Sequence, residues 1–326
     1  MKTRWPWFTS MSLSLLVLAA DVAVPAQAED YPTRAVRIIS DSAPGSSVDV
    51  ALRLVADRLG QGWGQQVLAV NQPGGGGSIS VRGADAAPDG YTLYMPALSV
   101  FLPTPGKPAN LVPEVPRDFA PIGFVTEQPM FVAAAPSLGV NTLPELIALA
   151  KQRPGEISYA VTGVGRLTHL TGELLQYRAG IKLLLVPYSG GPNHALNDIM
   201  GGRIPLIIEA YSGLAGAIQA GNLKALAMGA AKRLPDFPDL PTVAETIPGF
   251  NAVGWQVLLA PIGTPERIVR KVSDALYAVV TDPEVKKQLA RRGSYPRAMS
   301  PAELTAFIQG EQRQWKPILE QLASKP

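Results

Sequence analysis

The sequence predicts an α/β fold built from two βα units, on three observations. Short apolar runs alternate with helically spaced ones from Ala35 to Gly229, the rhythm of a parallel sheet covered by helices. One local order, strand, glycine-containing turn and helix, occurs twice, at 37–53 and at 157–175. At 326 residues the chain is long enough for two buried cores.

The elements follow in order. Ala35 to Ile39 reads as a strand, and Val48, Leu52, Val55, Ala56 and Leu59 recur at helical spacing, so a helix starts after Ser46. Ser46 followed by Asp49 predicts a capping box, the serine oxygen taking one backbone N–H and the carboxylate another. A strand over 66–70, a helix from about Ser78 and a strand over 91–95 complete a βαβαβ unit. Gly74 to Gly77 fit neither nucleotide fingerprint; they are either a tight helix start or a point of ligand contact. The proline-rich stretch 102–121 reads as irregular, and Met130 to Ala135 as a new strand. Thr142 and Glu145 predict a second capping box, opening a helix that Pro154-Gly155 ends. Then come a strand over 157–161, the turn Thr162 to Thr168 and a hydroxyl-capped helix through Leu170, Leu174 and Leu175. Strands over 182–186, 204–209 and 225–229 alternate with helices over 195–200 and 214–220. Prolines between Arg233 and Phe250 mark a surface connection, and a strand over 253–260 follows. Thr264-Pro265, Asp282-Pro283 and Ser300-Pro301 each set a capping residue before proline at the first helical position, predicting three closing helices. Periodicity does not say which unit those helices join.

Composition narrows the class. Hydrophobic residues at 47% and charged residues at 17% exclude a disordered chain. A net charge of +3 without a basic run gives no sign of nucleic acid as a partner. Lys2 and Arg4, the apolar run Met11 to Ala20 and the small-residue pattern Ala26-Gln27-Ala28 predict an export signal cleaved after Ala28. Its apolar run is too short, and too soon followed by Asp21 and Pro25, for a membrane span. Zero cysteines exclude a disulfide scaffold and thiol chemistry.

The residues that could carry chemistry are few. His169 and His194 are the only histidines, and there is no GxSxG, HExxH or Cys/His cluster. No catalytic residue, metal or cofactor is therefore expected. His169, at a helix start, suits capping or packing, and His194 an exposed turn. The amides of a helix's first turn form an anion site. The turn running through Ser42, Ala43, Pro44, Gly45, Ser46, Ser47 and Asp49 offers one such site, or is an ordinary connection. The second turn contains Thr162, Gly163, Gly165, Arg166 and Thr168. Arg166 either grips a carboxylate bidentately or is a solvated loop arginine. Asp41 and Glu209, at strand ends, either orient polar ligand groups or are structural, and they would repel a carboxylate unless paired. Tyr188 and Trp255 either wall a cleft or belong to the core.

A set of short stretches stands in one order along the chain. It comprises Tyr31-Pro32 with Val36-Arg37-Ile38-Ile39, Ala43-Pro44-Gly45 with Asp49 and Arg53, Gly74 to Gly77, and Ala87 to Leu93. It continues with Arg117 to Ile122, His169-Leu170 with Gly172-Glu173-Leu174, and Val186-Pro187-Tyr188. It ends with Ala220 to Ala227, Pro241 to Glu245, and Leu259-Ala260-Pro261 with Gly263-Thr264-Pro265. In this the sequence resembles the periplasmic solute-binding receptors of the tripartite tricarboxylate transporter family, the Bug-type proteins.

The resemblance implies a type II periplasmic binding-protein fold, two α/β lobes with a central ligand cleft. Lobe 1 would be 29–128 with 252–326, and lobe 2 would be 129–251. It implies that the turns Ser42 to Asp49 and Thr162 to His169 hold a carboxylate through backbone N–H groups and hydroxyls; Tyr188 and Glu209 are expected beside them on the reading of the residues given above. The closed form would be presented in the periplasm to the membrane subunits of a transporter, by a monomer with no nucleic-acid partner. This chain departs from the family pattern at Asp41-Ser42, Ser46, Val48, Val164, Arg166 and Ser189. Those departures make the first wall smaller and more polar and add a cation. Because two anion-binding turns face each other and Arg166 adds charge, the expected ligand is a small organic carboxylate with two carboxyl groups. The alternatives are a ligand sensor subunit for a membrane signalling kinase and, on the residue inventory the least supported, an exported enzyme.

Overall fold

A sixteen-residue strand, β4 (Phe119–Ala134), runs through both halves of a nine-stranded sheet and organises them. The computed structural model describes residues 1, 31–73, 85–104, 107–189 and 191–323. The export signal, the Gly74 to Gly77 run and the helix expected from Ser78 lie outside the described residues.

In the first half, β1 (Val36–Ser40) lies between β2 (Val67–Asn71) and β3 (Thr92–Tyr94), parallel to both. Helix α1 (Ser47–Trp63) connects β1 to β2 and buries Leu52, Val55, Ala56 and Leu59, the stripe its spacing predicts. Strand β9 (Val253–Pro261) runs antiparallel between β3 and β4. In the second half, Met130 to Ala134 of β4 pair antiparallel with β7 (Leu206–Ala210) and with β8 (Lys224–Met228). There β5 (Ser158–Val161) runs parallel to β6 (Leu184–Pro187) and β7. The helices of this half are α2 (Leu143–Gln152), α3 (Leu167–Ala179), α4 (Pro192–Met200), α5 (Tyr211–Gln219) and the single turn α6 (Val243–Thr246). The chain closes with α7 (Glu266–Thr281), α8 (Pro283–Ala290) and α9 (Pro301–Ala323). Helices α7 and α9 return to the start of β4 and its approach: Ser273 Oγ donates to Ile122 O at 2.9 Å, and Gln309 Nε2 to Val115 O at 3.4 Å.

Several local expectations need correction. The strand expected from Met130 begins eleven residues earlier, at Phe119, because Pro121 and Pro129 read as breaks. Both sit where a missing N–H is tolerated. Pro121 borders a register shift, and Pro129 ends the ladder with β9, just before β4 changes partners. The capping boxes at Ser46 and Thr142 are incomplete. Each hydroxyl accepts from its third residue, but Asp49 accepts from Gly45 N–H and Glu145 from Asn141 N–H, one residue too early. The reciprocal form occurs at Thr242 with Glu245 and at Ser300 with Glu303. Helix α3 has Arg166 at its N-cap without a side-chain cap, Pro265 is the N-cap of α7 rather than its first residue, and His194 lies exposed within α4. Two 3₁₀ turns, Leu98–Phe101 and Ala109–Leu111, punctuate the proline-rich connection.

The larger core gathers Phe101, Phe119, Phe124 and Trp255; a second packs Phe131 against Tyr211 and Phe237, at ring separations of 5.3 Å. Helix α3 meets β5 so closely that a Cβ on Gly172 would lie 2.4 Å from Tyr159 Cε2, a buried ring that cannot swing aside. Gly172→Ala is therefore expected to lower the unfolding free energy by about 1–3 kcal/mol, read by chemical denaturation.

Candidate functional site

Two helices, one in each half of the sheet, begin by the same device. Helix α1 follows β1 and α3 follows β5, each after a short turn whose glycine has left-handed backbone, Gly45 at φ 78° and Gly165 at φ 75°. That conformation favours a residue without Cβ. Each glycine N–H is taken by the side chain four residues on, Asp49 Oδ2 at 2.9 Å and His169 Nδ1 at 3.1 Å. The amides of the first helical residues beyond them have no partner within the helix. Ser47 and Val48 open α1, Leu167 and Thr168 open α3, and all four line one cavity between the halves.

The first turn is braced by a chain of side chains. Asp49 accepts from Arg53 Nε at 3.0 Å, Arg53 Nη2 donates to Asn71 Oδ1 at 3.0 Å, and Asn71 Nδ2 donates to Ser42 Oγ at 3.1 Å. In the second turn Thr168 Oγ1 accepts from Thr162 N–H at 3.2 Å, and Thr162 Oγ1 donates to Glu209 Oε2 at 2.7 Å. His169 thus sits as a bracket for Gly165, with Nε2 3.9 Å from Glu173 Oε1.

The cavity has a volume of about 60 Å³, room for a few water-sized groups. Of the residues singled out from sequence, Ser42, Ala43, Ser46, Ser47, Thr162, Arg166, Thr168 and Glu209 line it. Pro44, Gly45, Asp49, Gly163, Gly165 and His169 shape the turns from behind. Tyr188 is not among the lining residues: its hydroxyl donates to Asp198 Oδ2 at 2.5 Å, on α4. Sequence reasoning did not single out Ala97, Leu98, Ser99, Gln128, Met130 and Gly254, which complete the wall with Trp255. No local pattern marks them, because crossing strands and a 3₁₀ turn bring them together.

Arg166 joins the two turns. Its Nη1 is 3.2 Å from Asp41 Oδ2, and its Nη2 donates to the Asp41 carbonyl oxygen. The guanidinium, read either as a carboxylate grip or as a solvated loop arginine, is thus paired with Asp41 beside the cavity it lines. Glu209 is 3% exposed, and burial raises its carboxyl above the ordinary value, against the lowering effects of its bonds from Thr162 and Ala210 N–H and of Arg166. Burial also lifts the Tyr94 phenol, with Asp41 adding to it, and lowers Lys107 to about 8. Among the described residues no group of three or more His, Asp or Glu could hold a metal ion, and no helix is long and apolar enough to cross a membrane.

Residues 51–323 match the family described as the tripartite tricarboxylate transporter family receptor. The chain belongs to this family. Protein BugT of Bordetella pertussis is 32% identical over 96% of this chain and 97% of its own length. The periplasmic binding protein BugD is 31% identical with a TM-score of 0.81, covering 89% of this chain and 98% of that one. Rpa4515 of R. palustris, solved with adipate, is 29% identical with a TM-score of 0.82, covering 89% of this chain and 97% of that one. The fold is accordingly that of a periplasmic binding protein, and the family is one of binding receptors, not enzymes.

Two expectations follow. Arg166→Ala leaves Asp41 without its cation and should lower the unfolding free energy by about 1–3 kcal/mol, less in an Asp41→Asn background, as a double-mutant cycle in denaturant would show. Because burial raises the Glu209 carboxyl above 4.5, its stabilising effect is present at acid pH and is lost as pH rises through the folded value. Glu209→Gln should therefore be more stable than the parent at neutral pH, with the difference vanishing in acid, read by melting across pH.

Proposed function

We propose that this chain is a periplasmic receptor that captures a small organic carboxylate between two lobes and delivers it to the membrane subunits of a tripartite tricarboxylate-type transporter. The observation that carries this is the convergence of two helix starts, from opposite halves of the sheet, on one cavity. Their unpartnered amides, with the hydroxyls of Ser42, Ser46, Ser47 and Thr168, are donors suited to carboxylate oxygens. The adipate bound by a relative of the same fold supports that ligand class. The lobes are 29–128 with 252–326 and 129–251. This division is supported by the hydrogen bonds near its bounds, Met130 N–H to Ala252 O at 3.0 Å, Gly229 N–H to Met130 O at 2.7 Å and Ala252 N–H to Gly229 O at 2.8 Å. Export with cleavage after Ala28 and action as a monomer belong to the same proposal.

Isothermal calorimetry and thermal melting with a panel of mono-, di- and tricarboxylates test it. A true ligand at a hundredfold excess over Kd should raise the unfolding free energy by about 2.7 kcal/mol. A flat response from folded protein across the whole panel overturns the proposal.

A further inference from the structure

The charges around the cavity do not suit a ligand with two carboxylates. Each helix start contributes roughly half a positive charge, so the two together offset one carboxylate. Among the described residues that line the cavity Arg166 is the one cation, and Asp41 already pairs with it. Lys107, the other cation acting on Asp41, is not a lining residue and donates to Val100 O at 2.5 Å. Glu209 lines the cavity almost fully buried; its oxygens accept from Thr162 Oγ1 at 2.7 Å and from Ala210 N–H at 2.9 Å, neither of them a cation, and the cation that acts on it is the Arg166 already paired with Asp41. Each of those oxygens keeps a further lone pair. Asp41 Oδ1 is also buried, with no hydrogen-bond partner among the described residues.

We propose that this receptor selects a monocarboxylate whose far end carries a hydrogen-bond donor for Glu209, an ammonium, amide or hydroxyl group, and that it rejects a second carboxylate there. This rests on the receptor reading above. One carboxylate sits against the helix starts, where amides and hydroxyls face it. Glu209 lines the same small cavity, so another group of a short ligand meets its carboxylate, which can accept but, when ionised, cannot donate. A second carboxylate would set two anions together in a small space beside a buried carboxyl, which favours uptake of a proton by one of them. Burial already pushes the Glu209 carboxyl up, so a neighbouring anion adds to a cost that is present before the ligand arrives.

The test is calorimetry on the mature chain with length-matched ligands: succinate against 4-aminobutyrate and succinamate, adipate against 6-aminohexanoate, and malate against 3,4-dihydroxybutyrate. The donor-ended member of the best-bound set is expected to bind about tenfold or more tighter than the diacid. Glu209→Gln should remove about tenfold from the ammonium ligand and strengthen the diacid, and Asp41→Asn, by freeing Arg166, should strengthen the diacid severalfold. Melting without ligand reports whether each near-isosteric variant is folded. A diacid that binds as tightly as its donor-ended match, or a ratio unmoved by both substitutions, overturns the selection and leaves the receptor reading standing. Failure of every carboxylate to bind overturns both.

Discussion

A helix cannot satisfy the amides of its own first turn, and this constraint shapes the cavity. The structure answers it twice in the same way. One amide, that of Gly45 or Gly165, is closed off by a side chain from the next turn, Asp49 or His169. The amides just beyond are left where Ser47, Val48, Leu167 and Thr168 line a shared space. The left-handed glycines turn the chain sharply enough for each helix to start at the end of its strand. The donors left in the cavity are thus backbone groups, which no substitution other than proline removes directly, while the bracing side chains decide how they are aimed.

The far wall depends on the end of the chain. Trp255 is held by a hydrogen bond from its Nε1 to Glu311 Oε2 at 3.0 Å, on α9, and Gln128 accepts from Ser294 Oγ at 3.1 Å. Phe101 packs on Trp255 at 5.3 Å between ring centres. The surface a ligand meets is therefore continuous with the larger core, and packing far from the cavity fixes the width of the space.

Features set by neighbours in sequence were legible. The two turns, the apolar stripe of α1 and the parallel β1–β2 and β5–β6 pairs all follow from residue spacing, since a glycine, a hydroxyl and a helical stripe act within a few positions of one another. What escaped was set at a distance. The first part of β4 was hidden by prolines that its irregular ladder with β9 accommodates. Arg166 was legible as a cation at a helix start, but its partner lies 125 positions away, and nothing local distinguishes a paired guanidinium from a free one. Tyr188 went elsewhere because Asp198, on the following helix, captured its hydroxyl.

The order of strands has a consequence for how the chain folds as it is made. Phe119 of β4 pairs with Pro261 of β9, while the residues between them include every strand of the second half, its share of β4 among them. A nascent chain can therefore complete the later half from contiguous sequence while the earlier half still awaits β9 to fill the gap between β3 and β4. Contacts this distant close slowly, and until they close the apolar flank of β3 is an open strand edge, the kind of surface that invites pairing with another chain. Holding factors that shield such edges would find their substrate in the half synthesised first.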